Sequence, residues 1–349
     1  THGLKKRGDF PSPSGATGDD LPLALRPLAH LGRATRLGRR LPHWARRGLQ
    51  KTYNIAMALH FRRKRYCGYW EPNHLAIHCG GPTVTTILDL SVLEHPRWHP
   101  ADRVAQWRAD LARSVANTDA FIAISEFTKS RMVDLLQIDA ERITAAPLAG
   151  RPLPYPRPDL LDSARARAGL PEAYLLHLGT LEPRKNLAVL LDAYRRLPAK
   201  MRHRCPLILA GGVGWGEPAF WTHLLTHPVS EEVLTTGYVS DRAAAVLLAG
   251  ATAVMVPSLY EGFGLPILEA MACATPVVCS TAEAFVEVAG DAAAMCDPSD
   301  TGAWTRAMRR AIEDEHWRES AGAAGAERAK QFSWRRTARL HAEVFEKLI

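Results

Sequence analysis

No apolar run in the 349 residues reaches eighteen, so no membrane-crossing helix is expected. The opening "THGLKKRGDFPSPSG" starts basic with no apolar stretch behind it, so no secretory leader is expected. Cysteine is sparse: Cys67, Cys79, Cys205, Cys273, Cys279 and Cys296, with no CxxC pair. That spacing argues against a zinc site and against a disulfide framework. Several of these thiols sit in apolar runs, where Cys serves as a small core residue, and a reduced, cytoplasmic protein is expected. No GxGxxG is present, which counts against a dinucleotide-binding dehydrogenase. No short-period repeat is evident, so a solenoid is not expected.

Hydrophobic residues make up 47% of the chain, enough for a large core, and the length favours two domains. Charge is unevenly placed. Residues 1–70 hold fifteen Lys or Arg and three Asp, a balance of +12 against +8 for the whole chain, which leaves −4 for the remainder. The plain reading of "RATRLGRRLPHWARR" and "FRRKR" is a solvated basic face. The sharper one is contact with an anionic membrane surface. Nucleic acid is not expected, because no recognised motif accompanies the charge.

Residues 1–20 are rich in Gly, Ser and Pro and read as loosely packed, and 21–67 as basic and helical in places. From there strands and helices alternate. A strand over "PTVTTILDL" ends at Asp89. A helix over "HPADRVAQWRADLARSVANTD" follows, with Val104, Trp107, Leu111 and Val115 on one face. "AFIAIS" and "ERITAAPLA" read as further strands. The stretch "GRPLPYPRPDLLD" holds four prolines and reads as a linker at 151–162. It separates a first domain, 1–150, from a second, 163–330. In the second, "AYLLHLGT", "PLILAGG", "VLTTGYV", "TAVMVPS", "PVVCS" and "DAAAMCDP" are strands with helices between them. Strands that are apolar runs mean parallel sheets covered on both faces. The expected fold is α/β: two Rossmann-like, doubly wound domains facing a cleft. Ligands would bind outside the strand carboxyl ends.

Three turns in the second unit stand at such ends. "GTLEPRKN" offers Arg184 and Lys185 beside a helix start, a pairing that suits a diphosphate; a solvated loop pair is the plainer alternative. "LAGGVGWG" brings Gly211, Gly212, Gly214 and Gly216, glycines that usually serve tight backbone geometry. "SLYEGFGLPILEAMACATPVV" places Glu261 before a turn and Glu269 in what reads as the first turn of the following helix. Pro266 suits the start of that helix, where Phe263, Gly264 and Leu265 would offer backbone N–H groups to an anion. Dipole compensation is the simpler task for Glu269. Glu261 has no evident structural task.

"GTLEPRKNL", "GYVSDRAAAVLLAGATAVMVPSLYEGFGLPILEAMACATPVVCS" and "EVAGDAAAMCDPSD" together resemble the retaining glycosyltransferases of family four, a GT-B group. That group is marked by Glu-x7-Glu, Ala-Met-Ala and a Pro-Val-Val strand. The resemblance covers nearly all of residues 145–349. "YWEPNHLA", "GPTVTTILDLSVLEHPRWHPADRV" and "DAFIAISEFTKS" resemble its mannosyltransferase-like branch. "FSWRRTARLHAEVF", within 331–349, resembles the closing helix that returns to the first domain.

The resemblance implies that Arg184 and Lys185 bind the donor diphosphate and that Glu261 holds the transferred sugar. It gives the sugar and phosphate to the backbone at Phe263, Gly264 and Leu265, and the ribose to Glu269. Tyr238 and Val239 would face the base, with Gly179, Gly212 and Asp89 completing the donor site. No Asp-x-Asp motif appears, so no metal is expected, and no cofactor beyond a nucleotide sugar, GDP-sugar before UDP-sugar. The implied reaction is sugar transfer with retention by a front-face route, a covalent route being the alternative. The acceptor would be a glycan or a lipid-linked glycan, at the inner face of the membrane if the basic stretch docks there.

Two departures stand out. The family reads His-Asp-Leu-Ser where this chain has Leu88-Asp89-Leu90-Ser91. His74 and His78 are the nearby histidines, each more simply read as structural. The family's opening strand and Gly-rich loop have no counterpart in residues 1–20, so the first domain is expected to be short of that unit. A nucleotide-sugar-binding homologue with impaired catalysis and a basic membrane-associated adaptor are the competing expectations.

Overall fold

The structure, a computed structural model, describes residues 55, 58–61, 63–64, 66–76, 80–215 and 218–348. The segment 1–20 expected to be loosely packed, most of the basic stretch, His78 and Gly216 lie outside these residues. The chain divides into a unit at 1–64 and a larger one at 65–349. In the first, the described residues are helical. The second carries both sheets.

Its elements run β1 (Tyr69–Glu71), β2 (Thr83–Ile87), α1 (Ser91–Glu94), α2 (Ala101–Ala116), β3 (Ala120–Ala123), α3 (Glu126–Leu136) and β4 (Ile143–Ala145). After α4 (Leu161–Arg167) come β5 (Leu175–Leu178), α5 (Leu187–Arg195), α6 (Ala199–Arg204), β6 (Leu207–Ala210), α7 (Pro218–Thr226) and β7 (Leu234–Gly237). Then follow α8 (Asp241–Gly250), β8 (Ala253–Val256), α9 (Leu265–Ala272), β9 (Val277–Ser280), α10 (Glu283–Ala289) and β10 (Ala294–Cys296). Three helices close the chain: α11 (Thr301–Glu313), α12 (Glu315–Ala329) and α13 (Trp334–Glu346).

Both sheets are parallel throughout. The first pairs β1-β2-β3-β4 in chain order, with Val84 beside Ala120 and Phe121 beside Ile143. The second runs β10-β9-β8-β5-β6-β7, so the chain reverses its direction of winding between β5 and β8. Such a reversal splays the loops leaving the two strands and opens a crevice at their carboxyl ends.

The apolar runs have a direct cause. On β5, β6 and β8, Leu176, Leu178, Ile208, Val254 and Val256 enter one core cluster. Leu175, Leu207, Leu209, Ala253 and Met255 enter another on the opposite face, with Trp304 and Met308 of α11. Helices cover both faces, so successive residues are all buried. The first sheet is covered on one face by Val104, Trp107 and Leu111 of α2 and Met132 of α3. On its other face Val344 of α13 packs on Val84, Ile122 and Ala146, and Thr337 Oγ1 donates to Pro147 O at 2.6 Å.

Some boundaries differ from expectation. β2 stops at Ile87, two residues short of Asp89, because Leu88 and Asp89 leave the ladder to form a loop held by His74. On α2 the fourth buried position is Ser114, which donates to His74 O at 2.8 Å; Val115 is half-buried. No helix among the described residues is long and apolar enough to cross a membrane.

Candidate active site

The site is built at the reversal of the second sheet, from the loops that leave β5 and β8. Leu259 N donates to Arg184 O at 2.9 Å and ties the two loops together. Asn186 takes a left-handed turn at φ 54°, a conformation that Asn tolerates better than most residues, and starts α5. The turn brings Arg184 and Lys185 back over the strand ends.

There they meet Glu261. Arg184 Nη1 donates to Glu261 Oε2, and Lys185 Nζ to Oε1. Arg184 also donates to Glu182 Oε1 through Nε, at 3.0 Å, and to Tyr260 O through Nη1, at 3.1 Å. All four charged side chains are largely buried, and Glu182 Oε2 has no partner among the described residues. Burial alone would raise the Glu261 carboxyl; Lys185 and Arg184 outweigh it and hold it down at about 2. Burial works against the Arg184 charge too, but Glu261, Glu182 and Asp89 together raise its pKa. Buried charges so matched remain ionised.

Asp89 therefore faces Arg184 from the first sheet. Its Oδ1 accepts from Ser91 N at 3.0 Å and Ser91 Oγ at 2.7 Å, and Ser91 Oγ in turn meets His99 Nε2 at 3.0 Å. The neighbouring His74 is a structural clamp. Its Nδ1 donates to Asn73 Oδ1, and Nε2 accepts from the amides of Leu88 and Asp89 at 3.3 and 3.4 Å. Burial lowers its pKa, which keeps the ring neutral in that role.

The loop after β8 also forms the seam between the sheets. A Cβ at Gly262 would strike Leu88 O, so only glycine admits this approach. Gly262 O accepts from Ser125 Oγ at 2.7 Å and Thr128 Oγ1 at 3.1 Å. Glu287 of α10 receives the amides of Glu126 and Phe127 at the start of α3.

Helix α9 begins with Leu265 and Pro266, capped by Gly264 at φ 141°. The Phe263 side chain is a core residue against Phe332. Glu269 is the fifth residue of α9, beyond its first turn, and is 2% exposed. Arg151 donates to it from Nε at 2.5 Å and from Nη2 at 3.1 Å, and from Nη1 to Asp241 at 2.7 Å. Arg151 lies in the proline-rich stretch, where nothing in the sequence singles it out.

The glycines after β6 serve the backbone. A Cβ at Gly211 would overlap Gly179 O, and one at Gly214 would lie 2.7 Å from Thr180 Cγ2. A Cβ at Gly212 would lie 3.9 Å from Tyr238 Cβ; Tyr238 is 84% exposed, and Val239 is half-buried before the Ser240 cap of α8. Arg184, Lys185, Glu261 and Asp89 thus form one group. Glu269 stands in a separate one with Arg151 and Asp241. His177 and Glu182 belong with the first group; the signal for His177 is a titratable residue inside the buried run "LLHLG".

The chain matches the family model "Glycosyl transferases group 1" over residues 162–328. It is 38% identical to O-antigen chain mannosyltransferase B of Escherichia coli over 268 residues, 76% of this chain and 70% of that one. It is 33% identical to the serotype-specific mannosyltransferase WbdA of Escherichia coli over 66% of this chain, but spans only 29% of that longer relative. Sucrose-phosphate synthase from Thermosynechococcus elongatus superposes with a TM-score of 0.70 at 21% identity, over 88% of this chain and 80% of that one, a likeness of fold. With two parallel-sheet layers and this pattern of relatives, the chain belongs to the glycosyl transferases group 1 family and has the GT-B fold.

Proposed function

We propose that the protein is a retaining mannosyltransferase that takes mannose from GDP-mannose and extends a cell-surface polysaccharide, on a glycan or lipid-linked acceptor. The observation that carries the reading is Glu261 held between Arg184 and Lys185 at the carboxyl ends of β5 and β8. Mannosyltransferases among the relatives support the sugar.

In this reading the donor diphosphate competes for the two cations. As it does, the Glu261 carboxylate turns to the hydroxyls of the sugar. Arg184 and Lys185 then stabilise the charge that develops on the leaving diphosphate, which is where preorganised cations act most strongly. The bond from the sugar C1 to the phosphate oxygen breaks. The acceptor oxygen bonds to C1 on the same face, and its proton passes to the departing phosphate oxygen. The cations stand where a metal would otherwise be needed, so the reaction as proposed uses no metal and no cofactor besides its donor. The seam at Gly262 would exclude water, which competes as an acceptor.

A thermal-shift panel tests the donor. GDP and GDP-mannose should raise the midpoint above any shift from UDP- or ADP-sugars. Ligand at a hundred times its Kd contributes about 2.7 kcal/mol of stabilisation. A shift with UDP-sugars and none with GDP-sugars contradicts the donor.

A further inference from the structure

His177 is the third residue of β5, one of the two central strands of the second sheet beneath the site, and is 1% exposed. Its Nδ1 lies 3.0 Å from Met255 O. A carbonyl only accepts, so Nδ1 carries the proton. In a neutral ring Nε2 is then a bare acceptor. That atom is buried and has no partner among the described residues. A buried acceptor left unmade is costly, so its surroundings call for a donor.

The donor at hand is Lys185. A Cβ built at Gly179 would lie 3.6 Å from His177 Nε2, 3.8 Å from Lys185 Cε and 3.9 Å from Lys185 Nζ. Imidazole and ammonium therefore line one small hollow, which exists because residue 179 has no side chain. An ammonium has three N–H donors. Glu261 takes one. We propose that His177 is a positioning residue for Lys185: a short movement of the ammonium across the hollow lets Nε2 accept a second N–H, which aims the third at the donor diphosphate. The proposal rests on the reading that Lys185 meets that diphosphate. Burial first, then the Lys185 charge, pushes the His177 imidazole down to about 4, so the ring stays an acceptor at neutral pH.

The test is GDP binding to the full chain by calorimetry, with melting midpoints as a check on folding. His177→Met should weaken GDP about tenfold, the loss expected for a hydrogen bond to a charged group. His177→Gln, whose Oε1 still accepts, should stay within about threefold. Gly179→Ala, which meets its neighbours at ordinary contact distance but fills the hollow, should behave like His177→Met. In a Lys185→Met background His177→Met should change binding by less than about twofold, because its effect passes through the ammonium. An undiminished loss in that background, or a His177→Gln variant as weak as His177→Met, overturns the proposal. The nitrogen-15 shifts of the ring decide independently of any donor. Nδ1 should be protonated and Nε2 bare at pH 7, with the Nε2 shift moving in Lys185→Met. The opposite tautomer, or an imidazolium, overturns it. If neither GDP nor UDP binds the wild-type chain, the proposed function falls, while the ring measurement still decides the role of His177.

Discussion

Glu261 is a largely buried carboxylate with a cation on each oxygen, and its neighbours Glu182 and His177 each keep one buried atom without a partner among the described residues. Removing one partner of such a pair leaves an uncompensated buried charge. His177 also has a consequence for stability. Its folded pKa is about 4 against an ordinary 6.5. Between those values the unfolded chain binds the extra proton, so stability falls as pH drops from 6.5 to about 4 and is fully present above 6.5. The difference amounts to about 3 kcal/mol. Burial lowers His74, His95 and His99 as well, adding to the same slope. Urea denaturation should therefore show acid destabilisation across that window, and His177→Met should flatten it by about one proton. An unchanged slope would mean that His177 is already protonated in the folded chain. At this scale the Arg184, Lys185 and Glu261 group was legible, since each residue stands just past a strand end. The pairing of Arg151 with Glu269 was not, because the path of a proline-rich stretch leaves no periodic trace.

Element by element, β5, β6, β8 and β9 of the second sheet were easy to read because burial on both faces turns them into near-continuous apolar runs. Helix α12 was not foreseen. Its sequence "EHWRESAGAAGAERA" has only a weak apolar stripe, and it packs through small residues. A Cβ at Gly322 would strike Ala274 O, so close approach takes the place of bulk. Strand β1 was also missed, being three residues long and only partly buried. The seam between the sheets depends on two contacts that no pattern announces. Glu287→Ala strips the α3 amides of their acceptor and should cost about 1 kcal/mol. Gly262→Ala forces a backbone apart and should cost about 2 kcal/mol or more. Urea midpoints check both. Equal stability of Gly262→Ala and wild type would show that the seam opens freely.

Over the whole molecule, charge and chemistry are separated along the chain. The +12 balance of residues 1–70 contrasts with −4 for the rest, which holds the site. We propose that the basic stretch brings the enzyme to anionic lipid, where a lipid-linked acceptor would reside. Each Lys or Arg near such a surface contributes about 1 kcal/mol, screened by salt. The full chain should sediment with vesicles containing anionic lipid at low salt and be released at high salt. Equal binding to neutral vesicles contradicts this.

The most direct measurement is the rate of GDP release from GDP-mannose by the full chain, with and without a mannoside acceptor, for wild type and Glu261→Ala. Release should depend on the enzyme, rise with acceptor, and fall by about a hundredfold or more in the variant, as expected when a group acting on the transition state is removed. A folded Glu261→Ala variant that releases GDP at the wild-type rate would contradict the account.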